Sequence, residues 1–177
     1  NHYGIDEHSI IDIDLAQFGG SALTSNKIKI PRGRKISEMN DIPATYVPAR
    51  NTIFLSIALA KAETVNSFDI FIGVNAIDYS GYPDCRPVFI SEFEKLANLA
   101  TKEAVQNKGS YKIHTPLITL SKAEIIKKGI SLKVDYSLTS SCYKPNEYGN
   151  PCGFCDACIL RKKGFENAGF KDPLDYQ

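Results

Sequence analysis

The sequence contains no apolar run long enough to cross a membrane and no segment typical of a secretory signal. Its longest apolar stretches, TIFLSIALA and DIFIGV, fall far short of the roughly 20 residues that span a bilayer as a helix. The opening residues, NHYGIDEH, have no basic segment, no apolar core and no small-residue cleavage site. We therefore expect a soluble, cytoplasmic protein that does not associate with membranes.

Internal repeats, low-complexity tracts and linker-like segments are absent as well, so one domain is the simplest organisation for 177 residues. Hydrophobic residues make up 43% of the chain, which is enough for one sizeable core. Residues 1–100 hold 9 basic and 12 acidic side chains, and residues 101–177 hold 12 and 8. With a formal net charge of +1, the composition gives no argument for direct binding to nucleic acid.

Five cysteines are present, and four of them lie in the segment SSCYKPNEYGNPCGFCDACILRKKG at 140–164. In a reducing compartment, such a cluster is typical of a metal site rather than of disulfides. Two overlapping C-x2-C turns and one upstream cysteine can point four thiolates at a single ion. We predict one structural zinc ion per chain, with the ligands Cys142, Cys152, Cys155 and Cys158.

Three other interpretations of the cysteine cluster stay open. An iron–sulfur cluster favours C-x2-C-x2-C, but the ferredoxin pattern continues with x3-C-P, whereas this chain has Lys162 at that position. A thioredoxin-like dithiol needs one exposed pair rather than four grouped thiols. Reduced cysteines without any ligand are the simplest alternative. The fifth cysteine, Cys85, is interpreted as a small buried residue without a catalytic task.

Hydrophobic patterns predict strands that alternate with helices, which is typical of a parallel sheet covered by helices on both faces. A serine followed three residues later by a glutamate, as at Ser91 and again at Ser121, predicts a helix start. The predicted strands cover 9–15, 69–74 and 111–118, and the predicted helices cover 50–66 and the segments beginning at Ser91, Ser121 and Cys158. We expect an α/β domain over residues 1–138 and a zinc-binding subdomain over residues 139–177.

The loop after the predicted strand 69–74 is a candidate functional site. Ligands of open α/β sheets bind beyond the carboxyl ends of the strands. This loop, NAIDYSGYPDCRP at 75–87, is much longer than the usual connection of about 2 to 6 residues. Its charged and aromatic side chains favour ligand binding, although a loop whose charges simply face solvent is the alternative.

Four stretches follow one another along most of the chain: VPARNTIFLSIALA at 47–60, GVNAIDYSGYPDCRP at 73–87, TPLITLSKAEI at 115–125 and SCYKPNEYGNPCGFCDACILRKKGF at 141–165. Together with GGSALT at 19–24, they closely resemble the 7-cyano-7-deazaguanine synthases, a family of the ATP-pyrophosphatase (PP-loop) superfamily. The resemblance implies a doubly wound, mainly parallel sheet of the adenine nucleotide alpha hydrolase type, with a small C-terminal zinc-binding subdomain.

The resemblance also implies an activity, that of an ATP-dependent ligase forming a carbon–nitrogen bond. The family converts 7-carboxy-7-deazaguanine, ammonia and ATP into the corresponding nitrile, a precursor of queuosine and archaeosine. ATP would activate the carboxylate, ammonia would form an amide, and a second ATP would activate the amide oxygen for loss. Such a site needs magnesium and cationic donors for phosphates. Because related enzymes of the superfamily often form dimers, we expect a homodimer.

Residues within the matching stretches are the candidates for this chemistry. For ATP they are Arg50, Asn51 and Lys122, and for recognition of the deazaguanine they are Asn75, Tyr79, Tyr82, Asp84 and Arg86. Asp78, Asp84 and Arg86 are the candidate catalytic residues. Simpler roles stay open: capping at the start of a helix for the first two, packing for the tyrosines, and a solvated position for the lysine. Arg161 would either reach back to the active site or balance the thiolates.

The SGGxDS phosphate-binding motif of the superfamily does not occur in these 177 residues. Because the chain begins with asparagine and its only methionine is Met39, we expect an N-terminal extension of roughly 30 or more residues that carries this motif. Two alternative functions remain. One is another PP-loop enzyme that modifies tRNA in an ATP-dependent reaction. The other is a non-catalytic module that binds a deazapurine or a partner protein.

Overall fold

A computed structural model of the chain describes residues 4–5, 7–39, 41–76 and 81–177. Its described helices are α1 (Arg50–Thr64), α2 (Pro87–Ala100), α3 (Lys102–Val105), α4 (Lys122–Ser131) and α5 (Asp156–Ala168). Its strands are β1 (Asp69–Phe71) and β2 (Lys112–His114). Short 3-10 turns cover Leu15–Gln17, Ile36–Glu38, Pro83–Cys85 and Tyr136–Leu138. Within these described ranges, no helix is long and apolar enough to cross a bilayer.

The two strands pair in parallel, with Ile70 opposite Ile113. The ladder continues at both ends, where Lys112 N donates to Phe68 O at 2.8 Å and Ile72 N donates to His114 O at 3.0 Å. Parallel neighbours need a crossover connection, which α2 and α3 provide here. The expected parallel sheet with helices and a C-terminal cysteine cluster is therefore confirmed.

Side chains of α2 cover the outer edge of β2. The Asn98 amide pairs with both backbone groups of Tyr111, accepting from its N at 2.8 Å and donating to its O at 2.9 Å. Glu94 accepts from Ile113 N at 2.9 Å. These bonds satisfy backbone groups that a further strand would otherwise use, so this edge is closed to additional pairing.

The main hydrophobic core lies between α1, α2 and the sheet. Its buried members are Leu55, Leu59, Ala62, Ile70, Val74, Cys85, Ile90, Phe93, Ala97, Tyr111 and Ile113. A second core joins α4 to α5 through Ile126, Phe165 and Ala168, with the Tyr136 ring edge-on to Phe165 at 5.3 Å. Because α4 precedes residue 139 and α5 follows it, this second core bridges the proposed boundary between residues 1–138 and 139–177, which stays a prediction.

The predicted strand over residues 9–15 is wrong. In the structure, this segment has no regular structure up to its final residue, where a 3-10 turn begins. Ile10 is 80% exposed and Ile11 is 57% exposed. Isoleucine favours strands because its branched side chain packs on a half-buried sheet surface. Among the described residues, no neighbouring strand provides that surface here.

The start of α2 also differs from the prediction. The helix begins at Pro87, four residues before Ser91, because proline suits the first helical turn, where its missing N–H would have no intrahelical partner. Glu94 bonds to the edge of β2 instead of capping Ser91. The corresponding box at Ser121 is confirmed, since Ser121 Oγ accepts from Glu124 N and Glu124 accepts from Ser121 N.

Candidate active-site cleft and metal centre

The four clustered cysteines converge on one point. The sulfur atoms of Cys142, Cys152, Cys155 and Cys158 all lie within 4.8 Å of one another. Four ligands about 2.3 Å from a tetrahedral zinc ion are separated by roughly 3.8 Å, so this set fits zinc. Three of the four cysteines are buried, and only Cys142 is partly exposed. A complete set of four protein ligands leaves no open position for catalysis.

Local backbone geometry creates this convergence. Cys155 is the N-cap of α5, so Cys158 lies one helical turn further along on the same side. Gly153 has φ of +76°, a conformation that other residues rarely adopt, and an added Cβ there would lie 2.9 Å from Lys162 Nζ. Backbone N–H groups point at sulfur, since Cys152 N donates to Cys142 Sγ at 3.2 Å and Cys155 N donates to Cys152 Sγ at 3.4 Å.

Protonation of the thiols depends on their surroundings. Burial, together with the neighbouring thiols, raises the pKa of Cys158. Burial also raises the pKa of Cys142. At Cys152, burial acts in the same direction, but the N–H donors of Phe154 and Cys155 outweigh it and lower the pKa to about 7. Metal binding would favour the deprotonated form of all four thiols.

Two other segments hold the loop that carries the four cysteines, residues 142–158, which we call the metal loop. The first runs beside Cys155, where Arg32 forms an isolated antiparallel bridge with that cysteine and Gly33 N donates to Phe154 O at 2.8 Å. Next to this bridge, the Arg34 guanidinium binds the Asp156 carboxylate through both Nε and Nη2. The metal loop is therefore attached to residues more than one hundred positions upstream.

The C-terminal tail is the second segment. Gln177 N donates to Pro151 O at 3.0 Å, and Lys162 Nζ lies 4.1 Å from the centre of the Tyr176 ring. Arg161 is buried, and its guanidinium donates to both Asp172 oxygens, at 2.8 and 2.9 Å. It also donates to Thr139 at 2.8 Å and to Tyr136 O at 3.1 Å. This arginine lines the cleft described next, but its donors are used to join the tail to residues 136–139.

A cleft of about 620 Å³ lies at the carboxyl end of β1, between the start of α1, the helices α4 and α5, and the metal loop. Its volume is in the range of small-ligand sites, roughly 300 to 1,000 Å³. Five of the residues that the sequence proposed for ATP or substrate binding line it together: Arg50, Asn51, Asn75, Tyr82 and Lys122. They come from four separate parts of the chain, so the fold assembles them.

Other candidate residues have different positions. Asp84 is buried next to the cleft, with its carboxylate turned toward α1. Arg86 is exposed at the start of α2 and does not line the cleft formed by the described residues. Asp78 and Tyr79 lie outside the described residues. The proposed catalytic and binding roles of all these residues stay predictions.

Asp84 closes the start of α1. The N-cap of this helix is Ala49, with φ of +52° and no side-chain oxygen to offer. Asn51 N instead donates to Asp84 Oδ2 at 3.0 Å, while the Asn51 amide donates to Asp84 O at 3.1 Å and to Cys85 Sγ at 3.2 Å. Burial and the nearby carboxylate of Asp84 raise the pKa of Cys85, which keeps it an uncharged thiol.

Arg50 offers a free donor to the cleft. Its Nε is buried and has no hydrogen-bond partner in the described part of the chain. A buried guanidinium nitrogen without a partner is costly unless a ligand or water accepts from it. Arg50 is also the first residue of α1, where helix N–H groups favour negative charge. The site therefore suits an anion such as a phosphate or carboxylate.

Asn75 and Lys122 lie in two further walls of the cleft. The Asn75 amide donates to Leu117 O at 3.1 Å and also to Leu120 O, which ties the loop after β1 to the segment before α4. Lys122 is the first residue of α4, directly after the capping serine. In the described structure, both side chains face the same cleft as Arg50.

Sequence reasoning missed several cleft residues, among them Ser141 and Tyr143. The Tyr143 hydroxyl lies 3.0 Å from the Tyr82 hydroxyl, which lies 3.3 Å from Thr45 Oγ1. Burial, and after it Tyr82, raises the pKa of Tyr143 well above its ordinary value, so its hydroxyl stays protonated at neutral pH. The only signal in the sequence was its position directly after Cys142.

These features define a class, an α/β protein with a cleft beyond its parallel strands and a separate cluster of four cysteines that could bind a metal ion. The model of the family described as queuosine biosynthesis protein QueC matches residues 1–169. The chain belongs to the QueC family, which confirms the resemblance drawn from the four stretches.

Close relatives share one name. The 7-cyano-7-deazaguanine synthase of Syntrophotalea carbinolica is 62% identical over 173 residues, which cover 98% of this chain and 74% of the relative. The proteins of the same name from Citrifermentans bemidjiense and Syntrophobacter fumaroxidans are 62% and 58% identical over 174 residues. In each comparison 98% of this chain is matched, and it spans about three quarters of the relative's length.

Proposed function

We propose that this protein is a 7-cyano-7-deazaguanine synthase that converts 7-carboxy-7-deazaguanine, ammonia and ATP into the nitrile for queuosine biosynthesis. The observation that carries the proposal is the 62% identity, over 98% of this chain, to a relative of that name. Membership of the QueC family supports it, as does the cleft in which candidate residues from separate segments meet.

The residues of the cleft fit an anionic substrate. The unpartnered Nε of Arg50 is placed to donate to a phosphate or to the substrate carboxylate, and Lys122 adds a second positive charge. ATP, when bound, supplies the activation: it would convert the substrate carboxylate into an acyl anhydride, from which ammonia would displace the phosphate-bearing leaving group to form the amide. Tyr82 and Tyr143 would wall a flat heterocycle and limit the access of water.

Zinc and magnesium have separate roles in this proposal. The four thiolates would hold zinc as a structural ion, while magnesium would accompany the phosphates of ATP. The SGGxDS motif, the homodimer and the cytoplasmic location stay predictions. Size-exclusion chromatography with light scattering would test the homodimer directly.

The decisive experiment is a turnover assay with the natural gene product. The protein is incubated with 7-carboxy-7-deazaguanine, ammonium and magnesium ATP, and the products are identified by mass spectrometry. We expect the nitrile, with ATP consumed and no tRNA required. An ATP-dependent change in tRNA without nitrile formation would support the alternative PP-loop enzyme. Deazapurine binding without any turnover would support the binding module.

Arg50→Ala provides the matched test of the cleft. Removing a buried donor to an anion costs about 1.5 to 3 kcal/mol, so we expect kcat/KM to fall by roughly 10- to 100-fold. Lys95→Ala, on the exposed face of α2, removes a positive charge outside the cleft and serves as the control. Equal activity of the two variants would remove Arg50 from the site.

A further inference from the structure

Three hydroxyl groups from distant parts of the chain meet at one wall of the cleft. Thr45 precedes α1, Tyr82 follows β1, and Tyr143 lies in the metal loop. Tyr82 OH is 3.0 Å from Tyr143 OH and 3.3 Å from Thr45 Oγ1. Thr45 is only 2% exposed, so this contact is sheltered from solvent at its inner end.

The Tyr82 side of this contact belongs to a segment that shapes the cleft. Residues 81–86, which we call the 81–86 turn, contain the 3-10 turn Pro83–Cys85. Its backbone is closed by Cys85 N, which donates to Tyr82 O at 3.1 Å. The same turn carries Asp84, which bonds to the start of α1. A shift of Tyr82 would therefore move groups on two walls of the cleft.

The Tyr143 side belongs to the metal centre. Tyr143 directly follows the ligand Cys142, whose sulfur accepts from Lys144 N at 3.3 Å and from Cys152 N at 3.2 Å. Tyr143 packs on the cysteine cluster itself. The packing of its ring on the cysteines therefore sets the position of Tyr143, and its hydroxyl contacts the hydroxyl of Tyr82.

We propose that Tyr143 is a positioning residue through which the metal centre holds the 81–86 turn, and with it Tyr82, in the geometry that binds substrate. The kinetic part of this inference rests on the proposed function. In this arrangement, the structural metal affects substrate binding without touching the substrate. Among the described residues, this connection runs through hydroxyl contacts, which can be interrupted without changing any of the four cysteines.

The test uses Tyr143→Phe in the natural gene product, with Tyr148→Phe as the matched control. Tyr148 lies in the same metal loop but is 80% exposed. Loss of one hydroxyl contact corresponds to a factor of about five. We expect KM for the carboxy-deazaguanine to rise about fivefold in Tyr143→Phe, with kcat changed less than about twofold and zinc content unchanged. Tyr148→Phe should match the wild type in all three.

A double-mutant cycle distinguishes this positioning role of Tyr143 from a general loss of rigidity around the cleft. Tyr82→Phe and Tyr143→Phe interrupt the same contact, so the double variant should raise KM no more than the more damaging single variant. Multiplicative effects of the two substitutions would mean that the residues act independently. That result would overturn the proposal.

A second readout does not depend on turnover. Hydrogen exchange of the Cys85 and Arg86 amides, measured in the zinc-loaded protein without substrate, should be about fivefold faster in Tyr143→Phe than in the wild type. This result stands even if the wild type forms no nitrile, in which case only the proposed function fails. Unchanged exchange with unchanged KM would overturn the inference. Faster exchange that follows loss of zinc would also overturn it, because the hydroxyl would then serve the metal loop.

Discussion

Asp84 has a structural task that its sequence position does not reveal. Its buried carboxylate accepts from Asn51 N and closes a helix whose own N-cap, Ala49, has no capping side chain. The same residue is a candidate for substrate recognition. Both roles use the same side chain at the edge of the cleft, so a substitution at this position affects folding as well as activity.

Asp84→Ala should therefore destabilise the protein and also abolish nitrile formation. Loss of a buried cap leaves the Asn51 N–H unsatisfied, and we expect the free energy of unfolding to fall by roughly 1 to 3 kcal/mol. Urea denaturation followed by circular dichroism measures this change. Asp12→Ala, at an exposed position, is the control and should have little effect. A fully stable Asp84→Ala protein would show that the cap contributes nothing.

The buried pair of Arg161 and Asp172 predicts a dependence of stability on pH. Burial raises the pKa of Asp172, but hydrogen bonds from Arg161 and Tyr176 outweigh it and leave the pKa below its ordinary value of 3.8. A carboxyl group whose pKa is lowered on folding stabilises the native state fully above its unfolded pKa. This stabilisation is lost as the pH falls through the lower, folded pKa.

Asp172→Asn tests this dependence. At neutral pH the variant leaves the buried guanidinium without its counter-charge, and we expect a loss of roughly 3 kcal/mol in the free energy of unfolding. The difference between variant and wild type should shrink as the pH falls below about 4. Asp175→Asn, exposed in the same tail, is the control. A difference independent of pH would contradict the charged pair as its origin.

Among the helices, two identical sequence signals have different outcomes. Serine and glutamate three residues apart cap α4 at Ser121, whereas the same spacing at Ser91 lies inside α2. The reason is a competing partner. Glu94 accepts hydrogen bonds from Ile113 N and from Lys112 Nζ on the edge of β2, and the helix already begins four residues before Ser91. The spacing alone does not distinguish these two environments.

The confirmed box at the start of α4 allows a direct measurement. Ser121→Ala removes the oxygen that accepts from Glu124 N, and we expect a loss of about 1 kcal/mol in the free energy of unfolding. Ser56→Ala, at an exposed position within α1, should be neutral or slightly stabilising because alanine favours helix interiors. If both variants had the same stability, the box would have no energetic role.

At the scale of the whole molecule, the four-cysteine cluster connects segments that are far apart in sequence. Cys155 is fully buried, forms a bridge with Arg32 and begins α5, whose packing against α4 places Lys122 at the cleft. Without a metal ion, the raised pKa of Cys142 and of Cys158 would keep these two thiols protonated, and no common ligand would join the four cysteines. Structural metal sites of this type contribute directly to folding.

Cys155→Ser should therefore lose zinc and solubility together. Metal content is measured by mass spectrometry of the digested protein, and stability by thermal unfolding. Cys85→Ser is the matched control, since Cys85 is buried in the main core and is the one cysteine outside the cluster. It should retain one zinc ion per chain. A soluble and active Cys155→Ser protein without metal would disprove the structural role of zinc.

Local patterns were enough to predict the cluster of four cysteines, α1, the capped start of α4 and the family. For α1, the start of α4 and the three cysteines from Cys152 to Cys158, the deciding residues are only a few positions apart, so spacing along the chain is nearly the same as geometry. The cap from Asp84 to Asn51 joins residues 33 positions apart, and the contact from Tyr82 to Tyr143 joins residues 61 positions apart. Such contacts depend on how helices and loops pack, because a hydroxyl or carboxylate can bond to any partner that the fold brings within about 3 Å. The sequence therefore identified individual candidate residues of the cleft. Only the packed three-dimensional structure determines that these residues lie together and that the metal loop contacts Tyr82.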